Sequence, residues 1–382
     1  MNRAGAAAFL VALLAASLGL LVAPAWVALP AVLGAAALMR KGRAPFLASL
    51  AVAVPLYAAI MAVALRAGPA YEVGPVAFHL DGALRGVWGA LRLGAVVGVN
   101  LAALSWRPAA VLIDGLRLPP RWTAGLAAVL LAAHDVARDA ARLRDARRMV
   151  GDWPEGRAPL AKLRAAAELV APLLTASLDR AERRREALRL AGIHTGPLFV
   201  PVVAVAALAV AGRLALVALP NVSLAFVAIF LGGLVFGARV GALAAALAML
   251  LTDFLLTGLL PLGFVNLPAM MFVGLAGGAL RGLDLEGDGG AWTARGLAAV
   301  IGVLCTLGFS VAADTATWAL VREYRGDVAA WKALVAAGLA FNVLPAVANG
   351  ALFALTVTPV ARAVAALQPT PPTPATPPAA TP

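Results

Sequence analysis

The sequence predicts an all-α polytopic membrane protein, with about ten transmembrane helices in two bundles joined by long charged helices on the cytoplasmic side. Three observations predict it. Of 382 residues, 62% are apolar and 13% charged, whereas an ordinary soluble domain carries roughly 25% charged residues. The apolar residues fall into repeated runs near the ~20 residues that a helix needs to cross a bilayer, and shorter runs are accommodated by local thinning. The charges gather in the connections, above all in one segment, residues 106–197.

Taken in order, the first runs lie at about 5–22, 25–39 and 45–66. Arg40, Lys41 and Arg43 separate the second from the third, and basic residues in a short loop place it in the cytoplasm. Residues 1–25 carry the outline of a signal peptide, with Arg3, an apolar stretch and Ala23-Pro24-Ala25. A second apolar run follows at once, so a first span with a cytoplasmic N-terminus is the preferred reading. A polar connection at about 67–84 then lies outside. A fourth span, about 87–105, returns to the cytoplasm at Trp106-Arg107.

The next segment differs in kind. A helix from Trp122 to Val150, apolar and then amphipathic, ends at Gly151-Asp152-Trp153-Pro154, and a second helix runs from about 158 to 190. On it, Leu160, Leu163, Ala167, Val170, Leu174 and Leu178 recur at helical spacing, and its far end interleaves Asp179, Arg180, Glu182, Arg183, Arg184, Arg185, Glu186 and Arg189. Mixed charge of this kind suits helices that leave the membrane and meet a partner in water. Six further runs follow at about 198–218, 224–236, 238–257, 264–282, 294–320 and 333–361, with Arg239 and the stretch from Arg281 to Arg295 facing the cytoplasm. The chain thus divides into membrane body 1–105, charged helices 106–197, membrane body 198–362 and a Pro/Thr/Ala tail 363–382, expected to be disordered and cytoplasmic.

Composition also narrows the chemistry. A net charge of +12 does not point to nucleic acid, because only three basic residues are lysines and the arginines flank apolar runs, as the positive-inside rule requires. The one cysteine, Cys305, lies in an apolar run, and His79, His134 and His194 are far apart. No metal site is expected. Neither Lys41, Lys162 nor Lys332 follows a glycine, so the phosphate-binding loop of an ATPase is missing. No catalytic motif occurs, and no cofactor is expected on this chain.

Arg148-Met149-Val150-Gly151 and Arg189-Leu190-Ala191-Gly192 both read Arg-x-x-Gly at the end of a charged helix. Glycine ends helices and arginine favours the last turn, so structure alone accounts for the pattern. The functional reading makes Arg148, Gly151, Arg189 and Gly192 a pair of docking points for two partner subunits.

Leu91-Arg92-Leu93-Gly94, Leu104-Ser105-Trp106-Arg107-Pro108, Leu116-Arg117-Leu118-Pro119-Pro120, and the stretches Ala141 to Gly151 and Ser177 to Gly192 resemble the transmembrane T component of energy-coupling-factor (ECF) type ABC transporters. The resemblance spans roughly residues 1–197. It implies two coupling helices, each docking on an ABC ATPase subunit that binds ATP and Mg on its own chain. The family's Ala-Arg-Gly arginine aligns with Val150 and Ala191, and Arg148 and Arg189 lie two residues earlier. Arg213, Leu219-Pro220-Asn221-Val222 and Phe236-Gly237-Ala238-Arg239-Val240-Gly241 resemble the substrate-binding S components of the same transporters, over about 198–362. Together these resemblances imply a fused T and S subunit in the cytoplasmic (inner) membrane. Its implied substrate is a vitamin or related micronutrient, a cobalamin-type cofactor first, with thiamine-like and queuosine-precursor ligands open.

In the S-like half, Ala207, Ala211 and Ala215 repeat every four residues. Small residues let helices approach closely, and the resemblance makes this the T–S contact face, beside the plain alternative of alanine-rich packing. Asp253 and Asp314 lie inside apolar runs, where charge is expensive. With Asn221, Asn266, Trp318, Asn342 and Asn349 they are candidates to line an outward-facing, hydrogen-bonding pocket. In the alternative, Asn342 and Asn349 satisfy each other or a backbone carbonyl between helices. Arg239 reads as a surface anchor, and Arg92, inside the fourth span, needs a structural partner. An uncoupled S-like binding protein on a degenerate T-like scaffold is the competing reading of the whole chain.

Overall fold

The computed structural model describes residues 8–9, 11–13, 15–16, 19–20, 24–40, 43–64, 69–73, 76–106, 119–154, 159–215, 223–257, 261–281, 290–320 and 328–365. Helical residues between 8 and 20 precede α1 (Ala28–Leu38) and α2 (Arg43–Ala64). A small antiparallel hairpin follows, β1 (Ala70–Val73) with β2 (Val76–His79), pairing Ala70 with His79 and Val73 with Val76. It sits where the sequence suggested only a polar connection. Helix α3 (Leu80–Trp106) starts directly from the hairpin, with Asp81 in its positive first turn. Val32, Ala36, Met39, Phe46, Ala95 and Ala102 form a core of their own among α1, α2 and α3.

The charged segment folds as α4 (Pro120–Met149), α5 (Pro159–Glu168) and α6 (Val170–Leu190). The expected single helix over 158–190 is interrupted at Leu169. Pro172 accounts for the break, because it has no N–H to donate to the Glu168 carbonyl. The remaining helices are α7 (Phe199–Ala215), α8 (Leu224–Phe236), α9 (Ala238–Thr257), α10 (Pro261–Ala279), α11 (Gly290–Leu320) and α12 (Val328–Ala365).

Among the described residues, three segments are long and apolar enough to cross a bilayer: Leu80–Ala103, Ala294–Thr315 and Asn342–Arg362. Shorter apolar helices accompany them. This is the make-up of an all-α membrane protein. Exposed apolar side chains such as Leu297, Val300 and Leu304 on α11, and Val343, Leu344 and Val347 on α12, fit the same surroundings.

The larger core runs without interruption from α4 to α12. Ala128, Val129, Ala132 and Val136 of α4 and Leu173, Leu174 and Ala181 of α6 share it with Phe230, Met249, Leu352 and Phe353. Helix α7 is its hub, with every residue from Val202 to Gly212 buried. It packs against α4 and α6 on one side and α8 and α9 on the other.

Glycines set the closest approaches. Gly237, at φ 97°, separates α8 from α9 by a single residue, a conformation that a side chain resists. Beside it, Gly274 of α10 meets Gly241 so closely that a Cβ there would lie 2.5 Å from the Gly241 carbonyl oxygen.

Candidate functional site

Two features concentrate polar chemistry, the charged helix pair and a seam between α11 and α12. In the pair, Arg184 of α6 donates from Nη2 to Asp135 Oδ2 of α4 at 2.7 Å and from Nη1 to the Ala128 carbonyl at 3.2 Å. Arg180 forms the matching ion pair with Asp139. The acids are four residues apart on α4 and the arginines four apart on α6, so each set lies on one helix face. Because Asp135 meets Arg184 while Asp139 meets Arg180, the helices cross in the antiparallel sense. Arg147 Nη1 adds a 2.9 Å bond to Glu168 at the end of α5.

Both helices end in the same way. The Gly151 N–H donates to the Arg148 carbonyl at 3.0 Å and Asp152 N–H to Arg147 at 2.8 Å. At the second end, Gly192 N–H donates to Arg189 at 3.0 Å and Ile193 N–H to Leu188 at 2.8 Å. Each is a Schellman closure on a positive-φ glycine, at 73° for Gly151 and 78° for Gly192. Arg148 lies 3.8 Å from Asp145, and Arg189 2.8 Å from Glu186. That hydrogen bond and the adjacent negative charge of Glu186 raise the Arg189 pKa above its ordinary value. The four expected docking residues therefore sit at two exposed, structurally equivalent helix ends.

The second feature is a polar ladder. Thr306, Ser310 and Asp314 lie four apart on α11. Asn349 of α12 donates to Thr306 Oγ1 at 3.0 Å and accepts the Ser223 N–H at 3.1 Å. Asn342 donates to Ser310 Oγ and to the Gly338 carbonyl, both at 2.7 Å. Ser310 in turn donates toward Asp314 Oδ2 at 3.5 Å. The Asp314 carboxyl rests on the bare face of Gly338, where a Cβ would come within 2.8 Å of Asp314 Cγ. One further rung joins Trp331 Nε1 to Thr315 Oγ1 at 3.0 Å.

These contacts sort the expected pocket residues. Asp314, Asn342 and Asn349 lie along one seam, and Trp318, half-buried, is one turn beyond Asp314 on α11. The two asparagines do not bond each other; each bridges to α11. Asn342 also donates to the Gly338 carbonyl one turn earlier in its own helix, not to a carbonyl of another helix. Asp253 is elsewhere, on α9, where Arg213 of α7 reaches it at 3.1 Å. Arg213 also donates to Thr252 Oγ1 at 2.7 Å and to Met249 Sδ at 2.8 Å. Asn266 is half-buried on α10, and Asn221 lies outside the described residues. An apolar crevice lined by Phe230, Leu280, Leu297 and Val357 contains none of the set. Of the expected contact face, Ala207 and Ala211 are buried on α7, and the Ala215 side chain lies outside the described residues.

Sequence reasoning did not single out Asp135, Asp139, Thr306, Ser310, Gly338 or the pairing of Arg213. The four-residue spacings of Asp135 with Asp139 and of Thr306 with Ser310 and Asp314 are the signals that point to them. No protein-family model matches the chain, and neither a curated protein nor a solved structure matches it.

Proposed function

We propose that the chain is the membrane subunit of an ECF-type ABC importer, a T component and an S component in one polypeptide. In this reading about ten spans form two membrane bodies in the cytoplasmic membrane. The N-terminus, the coupling helices α4 and α6, and the tail face the cytoplasm. Two separate ABC ATPase subunits hold ATP and Mg and dock at the ends of α4 and α6. The substrate is a vitamin or related micronutrient, a cobalamin-type cofactor first.

The observation that carries the reading is the pair of matching ends, Arg148 to Gly151 and Arg189 to Gly192, on two long helices pinned at an antiparallel crossing. Such a pair is suited to passing movement of two external subunits into α7, which packs on both. The polar seam limits what the pocket can use. Asn342 and Asn349 hold α11 to α12 and Asp314 accepts from Ser310, so a ligand at this seam would compete with those bonds.

The test is reconstitution. The chain, purified with its copurifying ATPases and placed in vesicles, is expected to accumulate radiolabelled cobalamin on addition of ATP, or another labelled vitamin where cobalamin is not the substrate. A complex that hydrolyses ATP without accumulating any of the vitamins tested overturns the importer. The second reading, an uncoupled S-like binding protein, is favoured by Val150 and Ala191 standing where the family's docking arginines belong. It expects tight vitamin binding by a chain that purifies without ATPases.

A further inference from the structure

The apolar crevice between α8, α11 and α12 has a definite depth in the fold. Its floor is Phe230, Ala298 and Val357, all buried, and its rim is Leu280, Leu297 and Ile301, each partly exposed. Counted to its open side it offers about 260 Å³, and it is too shallow to enclose a compact ligand. The membrane-length segment of α11 begins at Ala294 and that of α12 ends at Arg362. Leu297 and Ile301 follow the first limit within two turns and Val357 precedes the second within two turns. At a rise of 1.5 Å per residue, the crevice lies within roughly 10 Å of one membrane boundary. Leu297 shares the exposed apolar face of α11 with Val300 and Leu304, so the open side of the crevice meets hydrocarbon.

The same end of the bundle is basic. Arg239 lies in the first turn of α9, Arg281 just after α10, Arg295 near the start of α11 and Arg362 near the end of α12, and all four are exposed. Arg281 is the best placed. Its Nη1 lies 3.1 Å from where a Gly237 Cβ would stand, so the guanidinium rests against the bare turn between α8 and α9. Leu234, one turn before Gly237, lines the crevice, and so does Leu280, the chain neighbour of Arg281. Arg239 is two residues from the same turn. Arg295 and Arg362 hold further contacts of their own, whereas no ion pair among the described residues involves Arg239 or Arg281. The described acids of α8 to α12 are Asp253 and Asp314, both toward the opposite end of the bundle. In sequence the connection 282–289, outside the described residues, carries Asp284, Glu286 and Asp288, and these are the competitors for the arginines within the chain.

We propose that this end of the bundle binds an anionic phospholipid, its phosphate held by Arg281 and Arg239 and one acyl chain laid along the crevice. Guanidinium groups match phosphate oxygens in bidentate pairs, and basic sites between membrane helices on the cytoplasmic side hold anionic headgroups. A free phosphate would use the arginines and leave the apolar rim bare. A neutral lipid would cover the rim and leave the arginines without an anion. Only an amphipathic anion engages both, and a crevice that opens to hydrocarbon receives it from the bilayer. The site goes beyond the importer reading and does not depend on it, because it rests on the membrane character of the helices alone.

The experiment offers the full chain, purified in mild detergent, equal amounts of phosphatidylglycerol and phosphatidylcholine and counts the retained lipid by native mass spectrometry. A phosphatidylglycerol with a photoactivatable diazirine in its acyl chain then maps the contact by peptide sequencing. Phosphatidylglycerol is expected to be retained in preference by roughly fivefold or more, the factor that one arginine near an anionic surface supplies, and the label to fall on peptides holding Leu280 or Leu297. Arg239→Gln combined with Arg281→Gln should abolish most of the preference, and Leu297→Trp, which fills the rim, should lower the labelling severalfold. Arg164→Gln is the control for basic surface in general, at a side chain 75% exposed on α5, and should leave the preference unchanged. Equal retention of the two lipids, a label spread evenly over the helices, or a preference lost as fully in Arg164→Gln overturns the site. So does a preference that survives the double variant, the result expected if Asp284, Glu286 or Asp288 already occupies the two arginines.

Discussion

Gly274 gives the sharpest stability test. Alanine there puts a Cβ 2.5 Å from the Gly241 carbonyl oxygen and 2.7 Å from the Ala242 nitrogen. Both obstacles are backbone, so no rotamer change relieves them, and α9 and α10 must part by about 1 Å to restore ordinary contact. Overpacking of this kind costs roughly 1–3 kcal/mol, and a gap near 1 Å forfeits up to about half of each dispersion contact it opens. Against this stands the better helix propensity of alanine, roughly 0.5–1 kcal/mol. The net expectation is a loss of about 2 kcal/mol. Gly296 on α11 is the control, because a Cβ there meets nothing within 4 Å and Gly296→Ala should gain the propensity term alone. The two variants should then differ by about 3 kcal/mol, on the order of a hundredfold in the folding equilibrium. Reversible unfolding in mixed micelles with rising sodium dodecyl sulfate, followed by tryptophan fluorescence, measures it. A Gly274→Ala midpoint at or above that of the unsubstituted chain would refute the close approach of α9 and α10.

Three further outcomes are expected from the same assay. Arg213→Ala leaves Asp253 buried without its ion-pair partner and should cost about 3–5 kcal/mol; adding Asp253→Ala should restore most of it, and a double variant as unstable as the single would contradict the pairing. A double-mutant cycle on Asp135 and Arg184, whose side chains are 21% and 22% exposed, should return a coupling of roughly 1–3 kcal/mol, and a value near zero would mean that the crossing is not pinned there. Asn349→Ala strips a partner from the Ser223 N–H and from Thr306, which predicts a loss of about 1–3 kcal/mol, whereas Asn266→Ala, for comparison, should change stability far less.

The sequence made helix positions legible where local chemistry sets them. The runs at 224–236 and 238–257 match α8 and α9, because Ser223 caps the first by accepting the Ala225 N–H and Gly237 ends it at positive φ. The hairpin at 70–79 went unseen because two four-residue strands show too few positions for a period of two to emerge. The break at Leu169 could be read from Pro172, but the leucine spacing ran across it and won. The site was legible in kind and not in pairing. Asp253, Asp314, Asn342 and Asn349 announce themselves as polar groups in apolar runs. Their partners, however, are fixed by contacts such as Asn349 with Thr306, 43 residues apart, which no local pattern encodes. Arg148 and Arg189 were found as a repeat, while the crevice beside Arg281 gathers residues far apart in the chain and required the fold to be known.

The burial of α7 bears on whether the two halves can be separated. In sequence the chain changes character near residue 197, which invites a cut there. The fold offers no clean edge at that point. A polypeptide beginning at residue 198 would carry α7 with its α4 and α6 flank stripped, an apolar strip shaped for those two helices. The preceding fragment would be left with the matching groove, formed in part by Val129, Val136, Leu173 and Leu174. The helices after residue 197 are therefore not separable from α4 and α6 without uncovering that core. In the importer proposed above, the ligand-binding helices would be tied to the coupling helices and could not be traded for a set of another specificity.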